Sequence, residues 1–183
     1  IAGVYRRSYR MFISCGILFN HESRFRGPRF LTQKIAYGAA CARFGITDSN
    51  LLNEEGEPVV KNGKLALGNL EAARDWGSAR DYVSAMWSML QRERPEDYVI
   101  GTGQLRTVRD LCRIAYEHVG LDWRLYVVSD PRFMRPNETG ATIADAAKAR
   151  RDLGWRPDSP LEETIADMVD AHLELIAAGR ERD

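Results

Sequence analysis

The chain is short of most features that commit a protein to a special environment. It has three cysteines, Cys15, Cys41 and Cys112, with no Cys-x-x-Cys pair. That excludes a disulfide framework or a zinc site as the organising device and suits reduced thiols in a cytoplasmic protein. It has no excess of either charge: 26 basic residues balance 26 acidic ones in 183. A partner held mainly through phosphate contacts, such as a nucleic acid, is therefore not expected. Its longest apolar run, residues 11–19, is half the roughly 18 residues a membrane-spanning helix needs. No basic segment with an apolar core and cleavage site opens it, so neither a membrane nor a signal peptide is expected.

Motifs are missing too. There is no G-x-x-x-x-G-K-[ST] phosphate loop and no G-x-S-x-G nucleophile elbow. Gly101-Thr-Gly103 begins like a dinucleotide loop, but Arg106 stands where the third glycine belongs, so a strand-to-helix turn is expected there. No tyrosine has a lysine four residues later. His21, His118 and His172 are too scattered to form a metal cluster by spacing.

What is present reads as α/β, strands alternating with helices. Residues 11–19 form an apolar run of buried-strand length, the pattern of a parallel strand covered on both faces. The first eight residues read as the end of an element. A helix is expected over 29–44, stopped by Gly45. A hairpin is expected over 59–67 around Asn62-Gly63, which favours a type I′ turn. Residues 68–77 read as a loop, leading into a helix capped by Ser78 with Val83, Met86, Trp87 and Leu90 on one face. Short strands follow at 98–100 and 125–128. The best-defined helix starts at Thr107, with Asp110 completing its cap, and buries Val108, Leu111, Cys112, Ala115 and Val119. Helices over 145–153 and from Ser159 onward close the chain, the last burying Leu161, Ile165, Met168, Val169 and Ile176.

Three polar loops carry the candidate chemistry. Asn20-His-Glu-Ser-Arg-Phe-Arg-Gly27 follows the apolar strand, and ligands of open α/β sheets bind beyond the carboxyl ends of their strands. Asn20 and His21 suit the polar edge of a ligand; Arg24 and Arg26 suit phosphates, as does Arg74, which precedes a helix start. The bland alternatives are a solvated turn and surface ion pairs, Arg74–Asp75 and Arg80–Asp81. In the third loop, Arg135 offers a bidentate fork and Glu138 an acceptor for hydroxyls. Only four of the 26 basic residues are lysines; the planar arginine fork suits phosphate and carboxylate groups.

Five strings, in order, resemble the GDP-mannose 4,6-dehydratase family: Gly16-Ile-Leu-Phe-Asn-His-Glu-Ser23, Leu67-Gly-Asn-Leu-Glu-Ala-Ala-Arg-Asp-Trp-Gly77, Ala79-Arg-Asp-Tyr-Val83, Arg135-Pro-Asn-Glu138 and Leu153-Gly-Trp-Arg-Pro157. The resemblance implies the end of a Rossmann-type doubly wound parallel sheet, over 1–45, and a smaller α/β substrate-binding domain, mainly 46–183. It implies conversion of GDP-mannose to GDP-4-keto-6-deoxymannose with loss of water, by internal hydride transfer through NADP. His21 and Arg26 match cofactor contacts; Asn20, Lys34, Arg74, Arg135 and Glu138 match substrate contacts. The family's glycine-rich half and its Tyr-x-x-x-Lys pair have no counterpart, so the resemblance covers a C-terminal portion, with no chemical catalyst in it. A fragment or a truncated product both fit; the lack of an initiator Met favours a fragment. Family members are oligomers, so a homo-oligomer is expected of the whole protein. The family usually has Pro-Arg where Arg24-Phe25 stand and Thr at Asn137, and residues 46–64 form an acidic insertion. A non-catalytic sugar-nucleotide-binding module, or a dehydratase of another GDP-sugar such as a GDP-heptose, are the alternative readings.

Overall fold

A computed structural model describes residues 1–53, 55–134 and 140–180. In chain order the elements are α1 (Ala2–Tyr9), β1 (Gly16–Leu18), β2 (Asn20–Glu22), α2 (Leu31–Phe44), β3 (Val60–Lys61), β4 (Lys64–Leu67), β5 (Ala73–Ser78), α3 (Ala79–Leu90), β6 (Tyr98–Ile100), β7 (Leu105–Thr107), α4 (Val108–His118), β8 (Val127–Ser129), α5 (Ala147–Leu153) and α6 (Leu161–Ala177). The chain divides into two interleaved units, one of residues 1–21, 74–105 and 142–161, the other of 22–73, 106–141 and 162–183. Three of the crossings between them fall within β2, β5 and β7.

In the first unit β1 and β6 pair in parallel, Gly16 opposite Tyr98 and Leu18 opposite Ile100. Tyr82, Ala85 and Met89 of α3 pack with Tyr98, Ile100, Ala146, Ala149 and Trp155 into one apolar cluster. Burying a side chain of this size stabilises by about 1.5–3 kcal/mol, so this cluster holds α3 and α5 on the strand pair. The start of the chain is tied down by charge instead. Arg6 pairs with Asp97 and donates from Nε to the Ile13 carbonyl at 2.8 Å. Asp97 also accepts from the Cys15 amide at 3.1 Å.

Two expectations fail in this unit. Only residues 16–18 of the apolar run are strand, and Met11, Phe12 and Ile17 are about half exposed. The reason is that β1 has one strand partner among the described residues, so its pleat lacks the cover a central parallel strand has. Likewise the apolar stripe of α3 points outward: Val83, Trp87 and Leu90 are 60%, 65% and 58% exposed, and Met86 39%. The helix instead buries Asp81, Tyr82, Ala85 and Met89.

The second unit follows the sequence more closely. The α2 face Ile35–Cys41 and the α4 residues Val108, Leu111, Cys112 and Ala115 are buried, and the two helices pack together. Gly38 permits this closeness, since a Cβ there would lie 2.9 Å from Leu65 Cδ2 and 3.0 Å from Tyr116 Oη. Gly45 ends α2 at φ 70°, as expected. The hairpin forms with Val60 opposite Leu65 and positive φ at both Asn62 and Gly63, and β4 continues in parallel to β8. Thr107 and Asp110 form the expected reciprocal cap of α4. Leu161, Ile165, Met168 and Val169 are buried on α6, Ile176 only partly. Residues 73–77, part of the loop expected over 68–77, belong instead to strand β5, nearly all of which lies in the first unit. The three cysteines are free thiols. Among the described residues no helix is long and apolar enough to cross a membrane.

Candidate functional site

The candidate residues fall in both units. In the first, Asn20 is exposed and follows β1 directly, since the Phe19 amide still bonds to Ile100 at 2.9 Å. It therefore stands just beyond the carboxyl end of a parallel strand, where such sheets bind ligands. His21 is half-buried, and its Nδ1 donates to the Phe19 carbonyl at 2.9 Å. That bond puts the neutral ring's proton on Nδ1 and makes Nε2 its acceptor nitrogen. The ring lies 5.1 Å from that of Tyr82, tilted by 31°.

Arg74 is half-buried on β5, bridged in parallel to Thr142. Its neighbour Asp75 is wholly buried and accepts four hydrogen bonds: from the Thr102 amide at 2.9 Å and hydroxyl at 2.5 Å, the Gly103 amide at 2.8 Å and the Ala144 amide at 3.1 Å. The carboxylate thus joins the backbone around Arg74 to two other segments. It also takes the Thr102 and Gly103 amides, the groups a dinucleotide loop would offer a phosphate. The Gly101–Gly103 turn accordingly leads to strand β7, not directly into a helix. Gly101 has no room for a side chain: a Cβ would meet the Ala144 Cβ at 2.3 Å.

Asp81 repeats the pattern. It is buried, and its carboxylate accepts from the Asp158 amide at 3.1 Å, the Ser159 amide at 3.0 Å and the Ser159 hydroxyl at 3.0 Å. Its carbonyl accepts from Trp155 Nε1 at 2.8 Å. Surface ion pairing therefore does not describe Asp75 or Asp81. Ser78, expected to cap α3 through its side chain, makes no such bond.

In the second unit, the loop after β2 is gripped by the first turn of α2. Glu22, 1% exposed, accepts from the Thr32 hydroxyl at 2.7 Å. Gln33 Nε2 donates to the Ser23 and Arg24 carbonyls at 3.2 and 3.3 Å, while its Oε1 accepts from His172 Nε2 at 2.6 Å. His172 is buried edge-on to Tyr37. Arg26 lies 3.4 Å from Glu22, with its guanidinium stacked 3.7 Å over the Phe30 ring. Arg24 makes a two-oxygen pair with Asp167 of α6 at 3.0 and 3.2 Å, which raises its pKa. That geometry serves the fold. Lys34 is half-buried in the first turn of α2. Arg135 and Glu138 lie outside the described residues.

Each unit gathers some of the candidates: Asn20, His21 and Arg74 in one, Arg26 and Lys34 in the other. Taken singly, the stacked guanidinium of Arg26 is a donor that suits phosphate oxygens, and the Nε2 acceptor of His21 suits a hydroxyl donor. The residues missed by sequence reasoning are the buried polar ones, Glu22, Gln33, Asp75, Asp81 and Tyr82, which hold the others. A faint signal existed: Asp75 and Asp81 flank a strongly apolar Trp-Gly step and an aromatic helix start.

Comparison with known proteins agrees with the motifs. The sequence profile described as GDP-mannose 4,6 dehydratase matches residues 1–168. Among curated relatives, GDP-mannose 4,6 dehydratase 2 of Arabidopsis thaliana is 43% identical over 171 residues, covering 93% of this chain and 42% of its own length. The Sinorhizobium fredii GDP-mannose 4,6-dehydratase is 38% identical over 194 residues, with 97% and 51% covered, and the human protein 35% identical, with 94% and 47% covered. The chain thus spans about half the length of these relatives. Among solved structures, Pseudomonas aeruginosa RMD complexed with NADPH superposes with a TM-score of 0.79 at 17% identity, covering 94% of this chain and 52% of that one. DesIV, a dTDP-glucose 4,6-dehydratase from Streptomyces venezuelae with NAD and TYD bound, gives 0.73 at 22% identity, with 97% and 48% covered. These likenesses show the fold: α/β of the Rossmann type, with parallel strands.

Proposed function

The chain belongs to the GDP-mannose 4,6-dehydratase family, and from that premise we propose that it is part of an enzyme converting GDP-mannose to GDP-4-keto-6-deoxymannose in the cytoplasm. It supplies substrate and cofactor contacts and not the reacting acid or base, because its 183 residues hold neither a glycine-rich dinucleotide loop nor a Tyr-x-x-x-Lys pair. The observation that carries the reading is the profile match across residues 1–168 joined to the position of Asn20 and His21 beyond the end of β1.

In this reading NADP, when bound, would supply the reversible hydride transfer that the conversion of the sugar needs, with net loss of one water. His21 and Arg26 hold the cofactor; the Phe30 stack and Glu22 orient the planar guanidinium of Arg26, which suits a phosphate. Asn20, Lys34, Arg74, Arg135 and Glu138 hold the substrate, the cations meeting the diphosphate and nucleotide, the others sugar or ribose hydroxyls. Asp75 sets the backbone that carries Arg74. Lys34 adds its charge to the first turn of α2, where the helix field already favours an anion. Residues 1–45 are read as the end of the dinucleotide-binding domain and 46–183 as mainly the sugar-nucleotide-binding part, with elements of the two interleaved; the whole protein works as a homo-oligomer.

The test is a thermal melt of the chain with GDP-mannose and with dTDP-glucose, followed by mass spectrometry after incubation with NADP and GDP-mannose. GDP-mannose raises the midpoint, dTDP-glucose does not, and no product lighter by one water accumulates. A dehydrated product from the chain alone contradicts the absence of the catalytic pair; no shift with GDP-mannose contradicts the substrate contacts.

A further inference from the structure

Three of the family strings meet in the first unit through aromatic contacts. His21, from the string that carries β1, lies 5.1 Å from the Tyr82 ring of the α3 string, tilted by 31°. Tyr82 meets the Trp155 ring edge-on at 6.1 Å and 84°. Trp155 comes from the string after α5, and its indole N–H is spent on the Asp81 carbonyl at 2.8 Å. Asp81 and Tyr82 are consecutive at the start of α3, and Asp81 is locked by the Asp158 and Ser159 amides. Tyr82 is fully buried and Trp155 is 5% exposed. The tyrosine ring is therefore enclosed, and the half-buried imidazole beside it meets both the Tyr82 ring and, at Nδ1, the Phe19 carbonyl.

We propose that Tyr82 is the positioning residue of His21: its ring, clamped by Trp155, sets the plane of the imidazole and so keeps Nδ1 on the Phe19 carbonyl that fixes its tautomer, and through it the affinity for the phosphorylated dinucleotide. This rests on the reading of His21 as a cofactor contact. The physical logic is preorganisation. A side chain already held in its bound orientation loses less freedom on binding than one that must be caught. Aromatic pairs prefer tilted or edge-on arrangements at these separations, so each ring in the row limits the next.

The experiment is long-range proton–nitrogen NMR of the histidine rings in the 183-residue chain, with NADP added as the probe. In the wild type His21 shows the Nδ1–H tautomer, and its signals move as NADP is added. Tyr82→Leu shifts the His21 ring signals, mixes the tautomers and weakens the NADP response about fivefold, while His118 is unmoved. Tyr82→Phe keeps the ring and restores the wild-type His21 pattern. Trp155→Phe, which loses the bond to Asp81, reads the same relay should Tyr82→Leu not fold: it moves the His21 signals in the same direction by less. His21 signals unchanged in Tyr82→Leu, or in Trp155→Phe if only that variant folds, overturn the positioning role. Signals that move with no change in NADP response overturn its link to the cofactor. Wild-type His21 signals indifferent to NADP overturn the cofactor reading itself, and the affinity part of this proposal with it.

Discussion

Replacing Asp75 by alanine tests whether a buried carboxylate, and not the apolar cluster alone, organises the ground under Arg74. The side chain is 0% exposed and accepts three backbone amides and one hydroxyl. Alanine leaves the Ala144 amide stranded at a residue 6% exposed, at a cost of about 1–3 kcal/mol. Thr102 and Gly103 are half-buried, so water recovers part of what their donors lose, roughly 0.5–1 kcal/mol remaining at each. The sum is about 3 kcal/mol. For a chain of this size that is roughly 6–12 °C in melting temperature. Asparagine keeps one acceptor oxygen for Thr102 but turns an NH2 toward the Gly103 and Ala144 donors, so Asp75→Asn recovers little, costing about 2 kcal/mol. Urea unfolding followed by far-UV circular dichroism reads both variants. A loss below about 1 kcal/mol for Asp75→Ala, within the range of one ordinary hydrogen bond, refutes the reasoning.

Further outcomes follow from the same geometry. Thr107→Ala removes the α4 cap and costs about 1 kcal/mol in the same unfolding experiment. The Asp110 carboxyl is buried in part, which pushes it up, but the Thr107 amide and hydroxyl, donating at 2.9 and 2.8 Å, outweigh this and hold it below the usual carboxylate range. Its folded pKa lies below its unfolded one, so its contribution is present above the unfolded value and is lost as pH falls through the folded value. Thr107→Ala therefore flattens the acid limb of stability against pH. Ellman's reagent at pH 8 titrates Cys15 in the native chain and reaches Cys41 and Cys112 only after unfolding, both being fully buried and the Cys112 thiol pushed up to about 12 by desolvation. Acrylamide quenches one tryptophan, Trp87, 65% exposed against 9% or less for the other three; Trp87→Phe abolishes the quenchable fraction.

How far the sequence could be read depended on where each element finds its cover. The elements of the second unit bring their own. The Asn62-Gly63 turn, the Gly45 stop and the Thr107–Asp110 cap are local devices, and the α4 spacing is satisfied by a helix within the same unit. The first unit breaks the rule that an apolar pattern marks a buried face. The α3 stripe Val83–Met86–Trp87–Leu90 has ideal spacing yet is exposed, while the buried face carries Asp81 and Tyr82, polar groups that spacing assigns to solvent. The apolar run before Asn20 fails likewise, with a single strand beside it among the described residues. Of the candidate contacts, the polar loops offered Asn20, His21, Arg26, Arg74, Arg135 and Glu138 to a local reading, and the family resemblance added Lys34. The residues that hold them, Asp75 through Thr102 and Ala144, Gln33 through the Ser23 and Arg24 carbonyls, act over sequence separations that no local pattern encodes. Arg24 shows the converse: it looked as fit for phosphate as Arg26, and a partner 143 residues away on α6 claims it.

The central claim, that this chain carries the contacts for a GDP-sugar, is tested most directly by calorimetric titration of the purified chain with GDP-mannose and then GDP, comparing wild type with Arg74→Ala and Arg135→Ala. A charged hydrogen bond contributes about 1.5–3 kcal/mol, so each substitution is expected to weaken GDP-mannose binding about tenfold or more. Wild-type affinity retained by both variants, or no heat of binding from a chain that melts cooperatively, contradicts the account.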